Sequence, residues 1–318
     1  MAAKSLIIKL NPSWFIFFRF LLLGVVIVSR RDNWLVAWIG FELTLIGFLP
    51  IFRSNAVVNE GIIKYFLVQA GGSSLFLLSF FVTNDMARIV FLVRIILKLG
   101  LFPFYQWVPL VMRSLSWPGC YLLITFQKLG PLLMVVNIRW ELTYVALLLG
   151  AIRVLVRGLL GFNQRKFRPL MAYSSVAHTG WLLCACVISL KILALYLLGY
   201  MYVSAILFNI FNTNYSGGII SSSKNLKRNY MVNTLLIGLA GIPPFTVFFL
   251  KVQLMAFLSL NPLVLGVIIL GTVMAIYYYL TFIIPSMVNF WGLGYRREGG
   301  LPFNLVLSLT LYPLIIFI

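Results

Sequence analysis

Lys98-Leu99-Gly100-Leu101-Phe102-Pro103-Phe104-Tyr105-Gln106-Trp107-Val108-Pro109 is the stretch on which the fold turns. It belongs to an apolar run, 88–111, long enough to cross a bilayer, for which a helix needs about 20 residues. Yet it holds a lysine, a glycine and two prolines. Proline removes a backbone donor and clashes with the preceding turn, while glycine lets the chain leave helical angles. Hydrocarbon offers no water to the freed backbone groups, so such a break must be lined by protein or trapped water. The stretch predicts a membrane helix interrupted beside a buried cation.

A second interruption lies in the run 232–257, where Gly238-Leu239-Ala240-Gly241-Ile242-Pro243-Pro244-Phe245 is followed by Lys251. Other runs of spanning length fall near 14–29, 33–52, 61–83, 117–138, 141–160, 168–188, 191–211, 263–285 and 303–318. Eleven spans are predicted, and they do not alternate with period two as barrel strands would. The composition agrees: 62% of residues are hydrophobic, 10% are charged and the mean hydropathy is +1.03. No soluble fold can hide that much apolar surface. The chain is expected to be an all-α polytopic membrane protein, one membrane domain over 1–318. The two interruptions sit five spans apart, an odd offset that reverses orientation, as inverted repeats require.

The net charge of +19 is distributed as a membrane protein distributes it. On these boundaries thirteen Lys and Arg residues, Arg157 among them, fall in the N-terminal tail and even-numbered loops, against five in the other loops. This positive-inside bias puts the N-terminus on the cytoplasmic or matrix side and the C-terminus opposite. Met1 to Leu10 show no small-residue cleavage pattern and read as the start of the mature chain. No aromatic-rich soluble module accompanies the basic residues, so nucleic acid is not an expected partner. Cys120, Cys184 and Cys186 lie in apolar context and read as packing residues, with too few ligands for a metal. Asn214-Tyr215-Ser216 matches a glycosylation acceptor only in form.

Ionisable groups inside the spans are the candidate functional residues. A charge at the bilayer centre costs about 3 kcal/mol on insertion scales, so it has a task or a partner. Glu42 lies in Trp38-Ile39-Gly40-Phe41-Glu42-Leu43-Thr44; Lys98 and Lys128 neighbour helix interiors, and Lys251 follows Phe248-Phe249-Leu250 at a depth set by how the break is arranged. Desolvation disfavours the charged form of either group type, which suits both to taking up and releasing protons. The plain alternatives are a static ion pair for Glu42 and snorkelling to an interface for the lysines. Glu60 and Lys64 sit nearer a helix start, where anchoring and function are equally good readings. The single histidine, His178, follows Tyr173, Ser174 and Ser175; it is either an interhelical hydrogen bond or part of a hydroxyl-lined relay. Arg19, Arg94 and Arg153 are expected near helix ends or in local pairs, without a pathway role.

In order along the chain, several strings resemble one family. They are Trp38 to Pro50, Lys64-Tyr65-Phe66-Leu67-Val68-Gln69-Ala70, Lys98 to Pro109, and Thr125-Phe126-Gln127-Lys128-Leu129-Gly130-Pro131. Asn163-Gln164, Arg168, Ala172 to Trp181 and Ala240 to Lys251 complete the set. Together, over roughly 30–285, they resemble subunit 2 of respiratory NADH:ubiquinone oxidoreductase (complex I), in the antiporter-like membrane subunit family. The resemblance implies two inverted five-helix repeats, about 14–138 and 141–285, with a C-terminal helix at 303–318. It implies a proton pathway of Glu42, Lys98, Lys128, Lys251 and His178, with Glu42 paired to Lys98. Lys64, Tyr105, Tyr173, Ser174 and Ser175 are expected to support it. Four positions depart from the family pattern: Tyr105 and Pro169 stand where histidine and lysine are usual, and Ala240 and Val247 where glycines are. Tyrosine, ordinarily titrating near ~10, stores a proton poorly at neutral pH.

The resemblance further implies proton translocation coupled to quinone reduction in other subunits, which would hold NADH, FMN, iron–sulfur clusters and ubiquinone. This chain itself has no nucleotide fingerprint and no cluster ligands. Implied partners are other membrane-arm subunits, including another antiporter-like subunit and small membrane subunits, together with lipid. The implied location is the mitochondrial inner membrane, N-terminus in the matrix and C-terminus in the intermembrane space. The rival readings are a subunit of a multisubunit cation/proton antiporter and a non-conducting membrane-arm scaffold.

Overall fold

The computed structural model describes residues 12–30, 33–51, 56–81, 85–136, 143–161, 164, 166–214, 226–243, 245–259 and 261–292. The N-terminal tail, the span expected at 303–318 and Tyr215-Ser216 of the glycosylation match lie outside them. The described residues form helices and no strands. In order these are α1 Pro12–Ser29, α2 Trp34–Phe48, α3 Ala56–Phe81, α4 Asp85–Leu99, α5 Trp107–Ser114, α6 Trp117–Ile124 and α7 Phe126–Val136. They continue with α8 Thr143–Gly161, α9 Phe167–Ile188, α10 Leu190–Asn214, α11 Leu226–Ala240, α12 Thr246–Leu258 and α13 Pro262–Gly292. Seven stretches are long and apolar enough to cross a membrane, and three shorter apolar helices accompany them.

Three of the expected spans are each built from two helices: α4 and α5, α6 and α7, and α11 and α12. The first and third are the interruptions anticipated at Gly100 and Gly241. The second was expected as one unbroken span, 117–138. Its break falls at Thr125, whose hydroxyl donates to the Tyr121 carbonyl at 2.6 Å. The Lys128 amide then bonds only three residues back, to the Thr125 carbonyl, and a new helix starts at Phe126. Pro131, inside α7, lacks the donor that would have tied this turn to the one before.

The chain divides into two compact units, residues 1–145 and 146–318. In the first, α1 packs on α2 and α7, while α3 packs on α2, α4 and α5. Small residues allow the tightest crossing: a Cβ on Gly24 would stand 2.6 Å from the Gly40 carbonyl oxygen. In the second unit α9 packs on α10 and α12, and α11 packs on α10, α12 and α13. Gly150 and Gly180 make the matching close approach of α8 to α9. Helices in lipid gain little hydrophobic free energy from pairing, so backbone contact through small residues takes that role.

Three arginines are not where the sequence put them. Arg94 and Arg153 lie inside α4 and α8, 0% and 1% exposed, rather than near helix ends. Arg157, counted above as a loop cation, is inside α8 and 2% exposed. Its removal leaves twelve loop cations against five, so the charge bias keeps its sign.

Candidate functional site

In the first unit the break after α4 is a glycine-terminated helix end. Gly100 has φ +63, a left-handed backbone that side chains strain to adopt. Its amide donates to the Leu97 carbonyl at 3.1 Å, and the Leu101 amide to the Ile96 carbonyl at 2.7 Å, the paired bonds of a Schellman end. The Trp107 indole N–H, from α5, also donates to the Leu97 carbonyl at 3.2 Å. Gln69, from α3, donates to the Lys98 carbonyl at 3.4 Å. Backbone and two neighbouring side chains thus cap the broken end, and no ammonium is needed for it.

Lys98 occupies the last turn of α4, 5% exposed, where the helix dipole favours a cation. Gly72 on α3 makes room for it, since a Cβ there would meet the lysine Cγ at 2.8 Å. The ammonium lies over the Phe41 ring, 4.0 Å from its centroid. Among the described residues no N···O contact within 4.0 Å joins Lys98 to a carboxylate. Glu42, half-buried on α2, acts on Lys98 through its field instead. Arg94, one turn earlier on α4, also acts on Lys98, with the opposite sign. The Glu42–Lys98 association expected from the resemblance is a field interaction here and not a closed ion pair.

Arg94 is the residue the sequence reading passed over. Its Nε, Nη1 and Nη2 are buried without a hydrogen-bond partner. The guanidinium lies 3.7 Å from the Phe76 centroid, 4.6 Å from Phe41 and 5.0 Å from Phe91. A dry cation–π contact returns about 2 kcal/mol, whereas enclosing an ion forfeits several kcal/mol of hydration even after relaxation. The rings reduce that cost without removing it. The available signal was spacing: Arg94 stands four residues before Lys98, on the same helix face.

Lys128, on α7, is 7% exposed. Its helix touches the same ring, because a Cβ on Gly130 would meet Phe41 at 3.0 Å. Gln127 ties α7 to α2 by donating to the Thr44 carbonyl at 3.3 Å. Phe41 therefore joins the helices of Glu42, Lys98 and Lys128. Two expected supports lie away from this centre. Lys64 is exposed and pairs with Glu60 at 3.3 Å, which favours the anchoring reading. Tyr105 is half-buried in the break and stacks on Phe102, with centroids 6.4 Å apart.

The second unit ends α11 at Gly241, φ +81, whose amide bonds the Ile237 and Gly238 carbonyls. Here the lysine itself completes the cap. Lys251, 6% exposed on α12, donates from Nζ to the Ala240 carbonyl at 2.8 Å. A Cβ on Gly241 would stand 2.6 Å from that Nζ. Arg157 acts on Lys251 through its field, and Trp181 offers a ring face 5.9 Å from the ammonium. Ala240 and Val247, two departures from the family pattern, serve as the acceptor carbonyl and a buried packing residue.

His178, on α9 and 1% exposed, shares a hydrogen bond of 3.0 Å between its Nδ1 and the Tyr196 hydroxyl of α10. Its tautomer decides which partner donates. Tyr200, one turn further along α10, packs against the imidazole with centroids 4.6 Å apart. Ser174 lies against Tyr279, whose hydroxyl accepts from Arg157 Nη2 at 3.4 Å. Ser175 instead donates to the Ala172 carbonyl of its own helix at 2.8 Å. Tyr173 is half-buried on α9. Pro169 is the third residue of α9, where the amide has no intrahelical partner and its loss is free. Tyr196 and Tyr200 were missed in the sequence; their four-residue spacing on an apolar helix was the signal.

Residues 82–276 match the model of the NADH:quinone oxidoreductase/Mrp antiporter transmembrane family. NADH-ubiquinone oxidoreductase chain 2 of Lumbricus terrestris is 32% identical over 285 residues, 84% of each chain. The chain 2 of Balaenoptera musculus is 32% identical over 343 residues, covering 96% of this chain and 98% of that one. The chain belongs to the NADH-ubiquinone oxidoreductase chain 2 family. The fold of this family member is similar to a chain of respiratory complex I from Thermus thermophilus, with a TM-score of 0.79. That alignment has 20% identity and covers 96% of this chain and 77% of the other. A chain of the Mrp complex from Dietzia gives 0.69 at 17% identity, covering 89% and 61%. Family and fold make this a multi-span membrane protein of antiporter-like architecture, with broken helices beside buried lysines.

Proposed function

We propose that the chain is a membrane-arm subunit of proton-pumping NADH:ubiquinone oxidoreductase in the mitochondrial inner membrane. It moves protons while NADH oxidation and quinone reduction proceed in other subunits, which hold FMN, iron–sulfur clusters and ubiquinone. Its partners are other membrane-arm subunits, another antiporter-like chain and small membrane subunits among them, and surrounding lipid. The N-terminus faces the matrix. Residues 14–138 and 141–285 act as inverted repeats, each carrying a lysine at a glycine-marked helix break. Glu42, Lys98, Lys128, Lys251 and His178 carry the protons, with Lys64, Tyr105, Tyr173, Ser174 and Ser175 in support.

The single observation behind this reading is Lys98: an enclosed ammonium with no contact ion pair among the described residues, set between the opposed fields of Glu42 and Arg94. A group so placed changes protonation when a neighbouring charge moves a short distance. The chemistry is transfer of protons between nitrogen and oxygen atoms, with no other bond made or broken. Lys98→Met in the assembled complex, sealed into vesicles, is the test. NADH-driven proton translocation should fall about tenfold or more; wild-type translocation from a fully assembled variant would overturn the proposal and leave a scaffold. The likeness to the Mrp fold supports a cation/proton antiporter as the second reading. Sodium dependence of the same translocation would favour it.

A further inference from the structure

Among the described residues of the first unit, Arg94 is the wholly enclosed cation that the proposed pathway does not use. It shares the Phe41 ring with Lys98: its Cζ lies 4.6 Å from the centroid and the lysine Nζ 4.0 Å. Phe76 and Phe91 complete its enclosure, and none of its side-chain nitrogens has a hydrogen-bond partner. A neutral side chain of similar length would pack against the same rings without losing hydration. The site therefore holds a charge rather than a volume.

A guanidinium stays protonated in proteins. Its charge stays constant through any cycle that Lys98 undergoes, and a dry surrounding lets that charge act at several ångströms. The groups facing Lys98 are few. Its own helix brings Arg94, α2 brings Glu42 and Phe41, and α3 brings the neutral Gln69 and Gly72. The neighbouring α7 carries Lys128. The second unit repeats the juxtaposition with different helices, since Arg157 of α8 acts on Lys251 of α12. There the described residues of that unit include no carboxylate to oppose it.

We propose that Arg94 is a positioning residue for proton transfer: a permanent charge, insulated by three phenylalanine rings, set against the ammonium form of Lys98. Against that constant push, the approach or retreat of Glu42 decides whether the lysine keeps its proton. This rests on the proton-transfer reading of Lys98.

The experiment measures protons translocated per electron pair by the assembled complex in sealed vesicles, with assembly checked first on a native gel. Arg94→Met should lower the ratio about threefold, and Arg94→Lys should keep more than about half of it. Removing a like charge that faces Lys98 should also move the pH profile of translocation to higher pH in Arg94→Met. Packing alone would not move that profile. Should Arg94→Met fail to assemble, Arg94→Gln replaces it as the neutral member. The inference is overturned if the neutral variant pumps like wild type, if lysine is no better than methionine or glutamine, or if the pH profile of the neutral variant is unmoved. Lys98→Met is run alongside. Normal pumping there removes the underlying reading, whereas loss there with an intact neutral Arg94 variant removes only this inference.

Discussion

The two helix breaks look alike in sequence and work differently. At the first, backbone amides, Trp107 and Gln69 satisfy the carbonyls that α4 leaves open. Lys98 is thereby left on an aromatic face, held by fields. At the second, the Lys251 ammonium is itself the cap, donating to the Ala240 carbonyl at 2.8 Å. The order of residues explains this. Lys98 precedes its glycine and lies on the helix that ends; Lys251 follows its glycine by ten residues and reaches back from the helix that begins. A lysine held by fields can lose its proton without breaking a hydrogen bond. One that caps a helix trades a charge-assisted bond to a buried carbonyl for a weaker neutral one when it deprotonates. Losing the bond altogether would leave an unmet carbonyl at about 1–3 kcal/mol. On the proposed proton path, the first break would exchange freely and the second would couple exchange to the shape of the break.

The largest expected effect separates the two lysines. Lys251→Met should lower thermal stability of the chain in its complex by about 1–3 kcal/mol as well as proton translocation. Lys98→Met should lower translocation alone. Equal loss of stability in both, read by thermal unfolding of the purified complex, would erase the distinction. Lys251→Arg sharpens it, because arginine can still cap Ala240 while refusing to release a proton; assembly should be retained and translocation lost.

The glycines give the next contrast. Gly241→Ala strains a left-handed backbone by about 1–2 kcal/mol and drives a methyl toward the Lys251 ammonium, which a Cβ would approach to 2.6 Å. It should impair both stability and translocation. Gly100→Ala carries similar strain but meets Val108 and Trp107 instead of Lys98, so stability should suffer more than translocation. The measurement is the ratio of the two losses for each variant, and the comparison breaks if the ratios match.

Smaller effects are expected further from the breaks. Tyr196→Phe removes the hydroxyl bonded to His178 at 3.0 Å and should cost about 1 kcal/mol of stability, with a severalfold slower translocation if the histidine relays protons. His178→Gln should behave similarly under the same assay. Lys64→Ala, at an exposed pair with Glu60, should change stability by less than about 1 kcal/mol and, in a supporting place only, slow pumping by less than about twofold. A loss of about tenfold from Lys64→Ala would move that residue into the proton-carrying set.

Much of this was legible beforehand. Long apolar runs, two glycine–proline interruptions and rare embedded charges gave the helical membrane fold and named Lys98, Lys128 and Lys251. Local chemistry was harder to see. The break at Thr125 depends on a hydroxyl competing with its own backbone, a signal that many helical threonines also carry. Arg94 and Arg157 looked like loop or end cations because charge alone does not say whether aromatic rings surround it.

What the amino-acid order determines by itself is which segments enter lipid and where they must break. Those outcomes follow from transfer free energy and from the backbone geometry of glycine and proline, and both act within a few residues. Whether a lysine caps a helix or rests between opposing charges was decided only by packing. Phe41 meeting Arg94, Lys98 and the α7 backbone, and Lys251 reaching Ala240, bring together residues that no local preference could pair. In a low-dielectric interior it is distance, which only the folded chain sets, that turns a charge into an interaction.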